Sequence, residues 1–315
     1  MNLSIIIPYH NEGAEFISAT LLSIYKTIDV KEYEVIVIDD GSTIPLEAPE
    51  GVRLIRHSDN RGVGAAFDTG VSEALSENLF LMGADIRFEN NAWASGMISE
   101  IKRYPNSLTC TSCVNLSIYD TCFETRRNLT VANGATILIH PVGDSPKKLN
   151  RTLEAQWLPR LKDRDIPSHE IPCILGAAYG VSKQWYQWID GFSLHKHWGT
   201  LEPYISLKSW MFGGSCRTAP RIETGHIFRQ NAIHDTPPPS KLYNKMLVVA
   251  LLFTDESTMI RYQSDTRTVQ QAREMFDMEK PNILAKRQEY KDKTVMTPEQ
   301  YMERWGISNH KMKAA

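Results

Sequence analysis

The chain has little of what marks a secreted, membrane-spanning or nucleic-acid-coating protein. Five cysteines in 315 residues, an odd number without framework spacing, exclude a disulfide scaffold and suit a reducing compartment. No apolar run approaches the roughly 20 residues of a membrane helix. The longest, Met246–Phe253, makes only about two helical turns. Met1-Asn2-Leu3 leads directly into a strand-like run with no basic flank, which predicts no signal peptide, no membrane insertion and a cytoplasmic location. A formal charge of −2 gives no global field to gather nucleic acid or anionic lipid. There is no internal repeat and no low-complexity segment.

What is present is a globular composition, 42% hydrophobic, sufficient for a continuous core. In the first hundred residues, strand-like runs (Leu3–Pro8, Tyr33–Ile38, Val52–His57, Asn78–Met82) alternate with helical patterns (Glu15–Lys26, Val63–Leu75, Trp93–Arg103). That alternation predicts an α/β fold, a Rossmann-like nucleotide-binding sheet with helices on both faces. Ligands of such sheets bind beyond the carboxyl ends of the strands. Here those ends read Pro8-Tyr9-His10-Asn11-Glu12, Asp39-Asp40-Gly41-Ser42, Asp59-Asn60-Arg61-Gly62 and Gly83-Ala84-Asp85.

From Leu108 to Arg164 the pattern breaks into short pieces such as Thr136–His140, and basic residues concentrate: Arg126, Arg127, Lys147, Lys148, Arg151, Arg160, Lys162 and Arg164. Pro237-Pro238-Pro239 then interrupts regular structure ahead of helical patterns over Lys241–Arg261 and Thr268–Met278. We expect a catalytic domain over 1–235, with a nucleotide-binding half (1–105) and an acceptor-binding half (106–235), followed by a C-terminal helical appendage over 236–315.

Several side chains carry chemistry. A carboxylate at Asp40 suits a ribose hydroxyl or a base N–H, and Asp85 suits a divalent ion that bridges a diphosphate, although an Asp there also makes a good helix cap. Cys110 and Cys113 have zinc-like spacing, with Cys122 as the one nearby third ligand; buried thiols are the simpler reading.

These residues together resemble glycosyltransferases of the GT-A fold, family 2 type. The family's strand ending in Pro before Asn-Glu is matched by Ile5–Glu12, and its strand ending Asp-Asp-Gly-Ser by Val35–Ser42. Its Asp-x-Asp or Asp-x-His metal triplet is matched by Gly83-Ala84-Asp85, without the first acid. Downstream, Leu175–Gly180, Trp198-Gly199, Trp210–Gly214 and Gly225-His226-Ile227-Phe228-Arg229 follow in order, and they resemble the polypeptide N-acetylgalactosaminyltransferase catalytic domain over about residues 3–255. Neither a lectin domain nor a membrane anchor accompanies them, unlike secretory members.

The resemblance implies that Asp85 and His226 hold Mn²⁺ (or Mg²⁺) on the diphosphate. It implies that Arg229 binds the diphosphate and offsets leaving-group charge. Pro8, Asn11, Glu12, Asp40 and Arg61 would lie at the nucleotide, and Trp198 would line the sugar or acceptor pocket. Glu202 stands where inverting relatives place their base, so it is either that base or a helix-start acid favoured by the macrodipole. The expected function is metal-dependent transfer of a hexose or N-acetylhexosamine from a nucleotide diphosphate sugar, UDP-linked, to an acceptor hydroxyl. The acceptor would be a peptide, a glycan or a modified nucleic acid base. Retention is favoured only through the closer resemblance.

Two alternatives stand beside it. A viral enzyme acting in a bacterial host would glycosylate a hydroxymethylated DNA base, with the basic stretch on phosphates. A non-catalytic nucleotide-sugar binder would explain Gly83. A nucleotidyltransferase would need a glycine-rich phosphate loop, which His10-Asn11-Glu12-Gly13 does not supply.

Overall fold

The computed structural model describes residues 1–29, 31–47, 50–116, 131–139, 152–159, 168–227, 237–253 and 266–307. Strands β1 (Leu3–Tyr9), β2 (Tyr33–Asp40), β3 (Arg53–His57) and β4 (Asn78–Met82) pair in parallel in the order β3-β2-β1-β4. Helix α1 (Ala14–Thr27) joins β1 to β2, and α2 (Val63–Glu73) joins β3 to β4. Leu3, Ile5, Ile6 and Ile7 are all fully buried because β1 is covered on both faces, which is why its sequence is continuously apolar. The two-residue side-chain period sends Ile5 and Ile7 into one core with Ile17, Leu21 and Ile24 of α1, and Ile6 into the other with Ala66, Phe67 and Val71 of α2.

Beyond β4 the sheet ceases to be parallel. After β5 (Ile86–Phe88) and α3 (Ala92–Arg103), β6 (Ser107–Leu116) does not join β4. Instead β10 (Ala178–Ser182) inserts between them, antiparallel to both. Strand β11 (Ser215–Ile227) then runs parallel to β6 and antiparallel to β5, with a bulge between Ala219 and Glu223. Strands β7 (Val131–Leu138) and β8 (Glu154–Pro159) form an antiparallel pair beside β6, and β9 (His169–Glu170) pairs with β11.

Helices α4 (Lys183–Trp188), α5 (Leu201–Met211), α6 (Pro238–Leu252), α7 (Thr266–Lys293) and α8 (Pro298–Trp305) complete the described chain. Tyr204, Leu247, Tyr290 and Tyr301 from these helices share one core with Ile6, Ile36 and Leu81 of the sheet, so the core does not divide between residues 235 and 236.

The four early strands and three early helices lie where periodicity placed them. Helix α7 continues past Met278 and through Pro281, because Ala272, Phe276, Ile283 and Tyr290 sustain a buried stripe along its length. The described part of α6 ends at Leu252, and Thr136–Leu138 belongs to β7 while His140 lies outside the described residues. Cys110 and Cys113 sit inside β6 with buried thiols, and burial pushes the Cys110 thiol up to about 11. Among the described residues no three His, Cys, Asp or Glu side chains converge to hold a metal; Cys122, the third ligand of the zinc reading, lies outside those residues.

Candidate functional site

A cavity of about 420 Å³ opens at the carboxyl ends of β1 and β4, where the doubly wound half predicts ligands. Pro8 lines it from the end of β1 and Glu12 from just after it, Gly83 and Asp85 after β4, Glu202 from α5, His226 from β11 and Lys241 from α6. Trp157 and Trp198, 47% and 45% exposed, also line it.

Asp85 and His226 are joined by the β5–β11 ladder. His226 pairs with Ile86, and the Ile227 N–H donates to the Asp85 carbonyl at 3.3 Å, so the two side chains have to emerge together. Asp85 Oδ1 lies 3.4 Å from His226 Nε2, and both side chains are partly exposed. Gly83, where the metal triplet lacks its first acid, donates its N–H to the Ala177 carbonyl at 3.1 Å and leaves that part of the cavity open.

Glu202 stands in the first turn of α5, with its carboxyl against the backbone of Gly176. A Cβ at Gly176 would fall 2.2 Å from Glu202 Oε1, so only glycine permits this approach. Burial pushes the Glu202 carboxyl above its ordinary value, and a hydrogen bond from its own backbone N–H offsets this only in part.

The segment that presents Trp198 and leads into Glu202 is strained and heavily braced. Asp190, Leu194, His197 and Thr200 all have positive φ, 59°, 63°, 52° and 65°, at a cost of roughly 1–3 kcal/mol each. Such a loop persists only where its surroundings over-determine it. Buried Lys208 donates to the Asp190 and Gly191 carbonyls at 3.1 and 2.5 Å; burial pushes its amine down to about 7 against the pull of Asp190 and Asp68. Asp68 accepts from the Phe192 N–H at 3.0 Å, and His195 Nε2 lies 2.7 Å from the Gly199 carbonyl. Gly62, with φ +94°, lets the α2 entry loop bridge to His197; a Cβ there would fall 2.3 Å from His197 Cα.

Of the other expected site residues, Asn11, Asp40 and Arg61 do not line this cavity. Asp40 is 2% exposed and does not line the cavity; its carboxylate holds the β3–α2 loop, with His57 Nδ1 at 2.6 Å, the Arg61 N–H at 3.0 Å and the Gly62 N–H at 2.7 Å. Asn11, in a left-handed conformation, accepts from the Thr43 N–H at 2.9 Å through its side chain. Exposed Arg61 likewise does not line the cavity. Arg229 lies outside the described residues, as do Arg126, Arg127, Lys147, Lys148, Arg151, Arg160, Lys162 and Arg164 of the basic stretch. Lys241, Trp157 and Gly176 were not anticipated as site residues. Only the Gly in Leu175-Gly176-Ala177 carried a local signal; Lys241 and Trp157 arrive through long-range packing.

Residues 4–154 match the model of glycosyl transferase family 2. Polypeptide N-acetylgalactosaminyltransferase 8 of Drosophila melanogaster is 25% identical over 244 residues, covering 72% of this chain and 38% of that protein. Human polypeptide N-acetylgalactosaminyltransferase 10 is 25% identical over 273 residues, covering 83% of this chain and 43% of that protein. The chain thus spans about two fifths of the length of these relatives. Among solved structures, GalNAc-T7 with UDP, GalNAc and Mn²⁺ superposes with a TM-score of 0.70 at 17% identity, over 96% of this chain and 57% of that one. Staphylococcus aureus TarS 1–349 with UDP-GlcNAc gives 0.52 at 12% identity, over 98% and 93%. The fold is of the GT-A type.

Proposed function

We propose, from the match of residues 4–154 to the glycosyl transferase family 2 model, that the chain transfers a sugar from a nucleotide diphosphate sugar to an acceptor hydroxyl with the help of a divalent metal. The observation that carries this reading is the Asp85–His226 pair, assembled across the β5–β11 ladder at the mouth of the cavity. One carboxylate oxygen and one imidazole nitrogen make a mixed donor set that suits Mn²⁺. Charge points the same way. Among the described cavity residues the carboxylates Glu12, Asp85 and Glu202 face a single lysine, Lys241, so a diphosphate entering there needs further positive charge. A bound divalent ion would neutralise the departing diphosphate.

The remaining work falls to the chain's own groups. Glu202 faces the cavity with a carboxyl tuned upward, which suits a base for the acceptor hydroxyl. Trp198 and Trp157 offer aromatic faces to sugar or acceptor. The GalNAc-transferase relatives and the UDP-containing structural neighbours support a UDP-linked donor. Among the described residues no helix is long and apolar enough to cross a membrane.

The test is calorimetric titration of UDP, and separately GDP, TDP and CDP, with and without Mn²⁺. We expect UDP to bind only with Mn²⁺, and that binding to be lost in Asp85→Ala and in His226→Ala. Binding of no nucleotide would sink the reading. Mn²⁺-independent UDP binding, unchanged in both variants, would leave a nucleotide binder without the metal chemistry.

A further inference from the structure

Helix α6 begins inside the Pro237-Pro238-Pro239 run, with Pro237 as its N-cap, and looks like the start of an appendage. Its side chains indicate otherwise. Lys241, Asn244 and Lys245 stand at i, i+3 and i+4, which places them on one helical face. That face meets both walls of the cavity. Lys245 Nζ lies 3.1 Å from Glu154 Oε1 on β8, the strand that carries Trp157. Lys241 lines the cavity itself, with Nζ 5.1 Å from the centre of the Trp198 ring.

Asn244 is fully buried and spends its whole amide on the strained loop. Its Oδ1 accepts from the Lys196 N–H at 3.0 Å, and its Nδ2 donates to the carbonyls of Lys196 at 2.8 Å, Gly199 at 3.2 Å and Trp198 at 3.4 Å. A carboxylate there would set a buried charge against three carbonyl oxygens, and an apolar side chain would leave the Lys196 amide without this acceptor. The amide presents one acceptor and two donors side by side at this reach. The loop it holds contains His197 and Thr200 in left-handed conformations, which need such external bonds to persist.

We infer that α6 is a strut of the active site, with Asn244 as the positioning residue that fixes the 196–199 backbone, and hence Trp198 and the entry to Glu202, while Lys241 holds the indole from above. The inference deepens the functional reading and rests on it for its catalytic consequence. Asn244 need not touch substrate; it sets where two cavity groups stand, and small misplacements of such groups cost large factors in rate.

The experiment combines three measurements on the full chain. Hydrogen exchange of the peptide spanning 195–202 is compared between wild type and Asn244→Leu. UDP affinity is measured with Mn²⁺. Turnover is followed as UDP released from UDP-N-acetylgalactosamine and UDP-N-acetylglucosamine. Asn244→Leu should speed exchange across 195–200 at least about tenfold and lower kcat by about tenfold or more, with UDP affinity within about twofold of wild type. Lys241→Gln, an exposed change that leaves folding intact, should lower kcat several-fold with the thermal midpoint unchanged. Asn244→Ser, which keeps an acceptor and a donor in smaller form, should recover part of the loss, and it carries the exchange test if Asn244→Leu does not fold. Unchanged exchange over 195–200 overturns the strut, as does unchanged kcat in both Asn244→Leu and Lys241→Gln. Failure of wild type to bind UDP with Mn²⁺ overturns the functional reading instead, and the exchange result still decides whether Asn244 holds the loop.

Discussion

Burial sets the protonation of single groups around the cavity, and pH therefore reports on their roles. Glu202 has its carboxyl raised by burial. If it is the base, turnover rises with pH through a value above that of an ordinary glutamate, because only the deprotonated form accepts the hydroxyl proton. We expect Glu202→Gln to erase this acid limb and to lower UDP release from UDP-sugar by about 10²-fold, with UDP affinity intact. A variant that keeps its rate and its pH profile assigns Glu202 to structure alone. His195 makes the opposite kind of statement. It is 6% exposed, and burial lowers its pKa from 6.5 to about 4. The unfolded chain therefore takes up a proton between these values that the folded chain refuses, and stability falls as pH drops through that window. The full loss is about 3 kcal/mol, at about 1.4 kcal/mol per unit. Urea titrations at pH 7 and pH 4 should show a stability loss in His195→Gln that is smaller than the wild-type loss by about 3 kcal/mol. An equal pH response in both would contradict a neutral buried imidazole.

At the scale of elements, α8 shows how a remote helix reaches the site. Its start is a capping box: Thr297 Oγ1 accepts from the Gln300 N–H at 3.3 Å, and Gln300 Oε1 accepts from the Thr297 N–H at 2.8 Å. The helix thus fixed carries Tyr301, fully buried, whose hydroxyl donates to the Pro172 carbonyl at 2.9 Å. Pro172 opens the stretch that supplies Ile174 and Gly176 to the cavity wall. Thr297→Ala should cost about 1 kcal/mol, measured as a lower urea midpoint at unchanged slope. No change in midpoint would mean that the end of α8 frays without effect. Periodicity made β1 to β4 and α1 to α3 legible, since most of them bury a continuous face against their sequence neighbours. It could not reveal β10, whose Ala178–Ser182 is too short and mixed to stand out and takes its place from β4 and β6. Helix α5 was equally hidden, because burial nearly all round leaves it little amphipathic pattern.

For the whole molecule, the C-terminal helices and the sheet share a core, so the chain should unfold as one unit. Asp190, at the head of the strained loop, is held from α7 by Tyr290 at 2.8 Å and Lys286 at 3.0 Å. Truncation after Phe253 should therefore abolish near-UV circular dichroism and cooperative melting, whereas the full chain gives coincident transitions by fluorescence and dichroism. A truncated chain that melts cooperatively would establish an independent N-terminal domain. The site was legible in proportion to how locally its residues are set. Pro8, Glu12 and Asp85 lie at or just past the ends of strands readable from sequence, and His226 was reached through a motif. Lys241 and Asn244 depend on a helix docking across some forty residues of loop and α5, a relation that no local pattern records. The inserted strand β10 also has a consequence for synthesis. Met82 ends β4 and Ala178 begins β10, so at roughly 5–20 residues per second the open edge of β4 waits on the order of 5–20 s for its partner. An unpaired apolar edge of that lifetime invites other strands, and His226 emerges later still. The nascent chain is thus most exposed to aggregation while its active site does not yet exist.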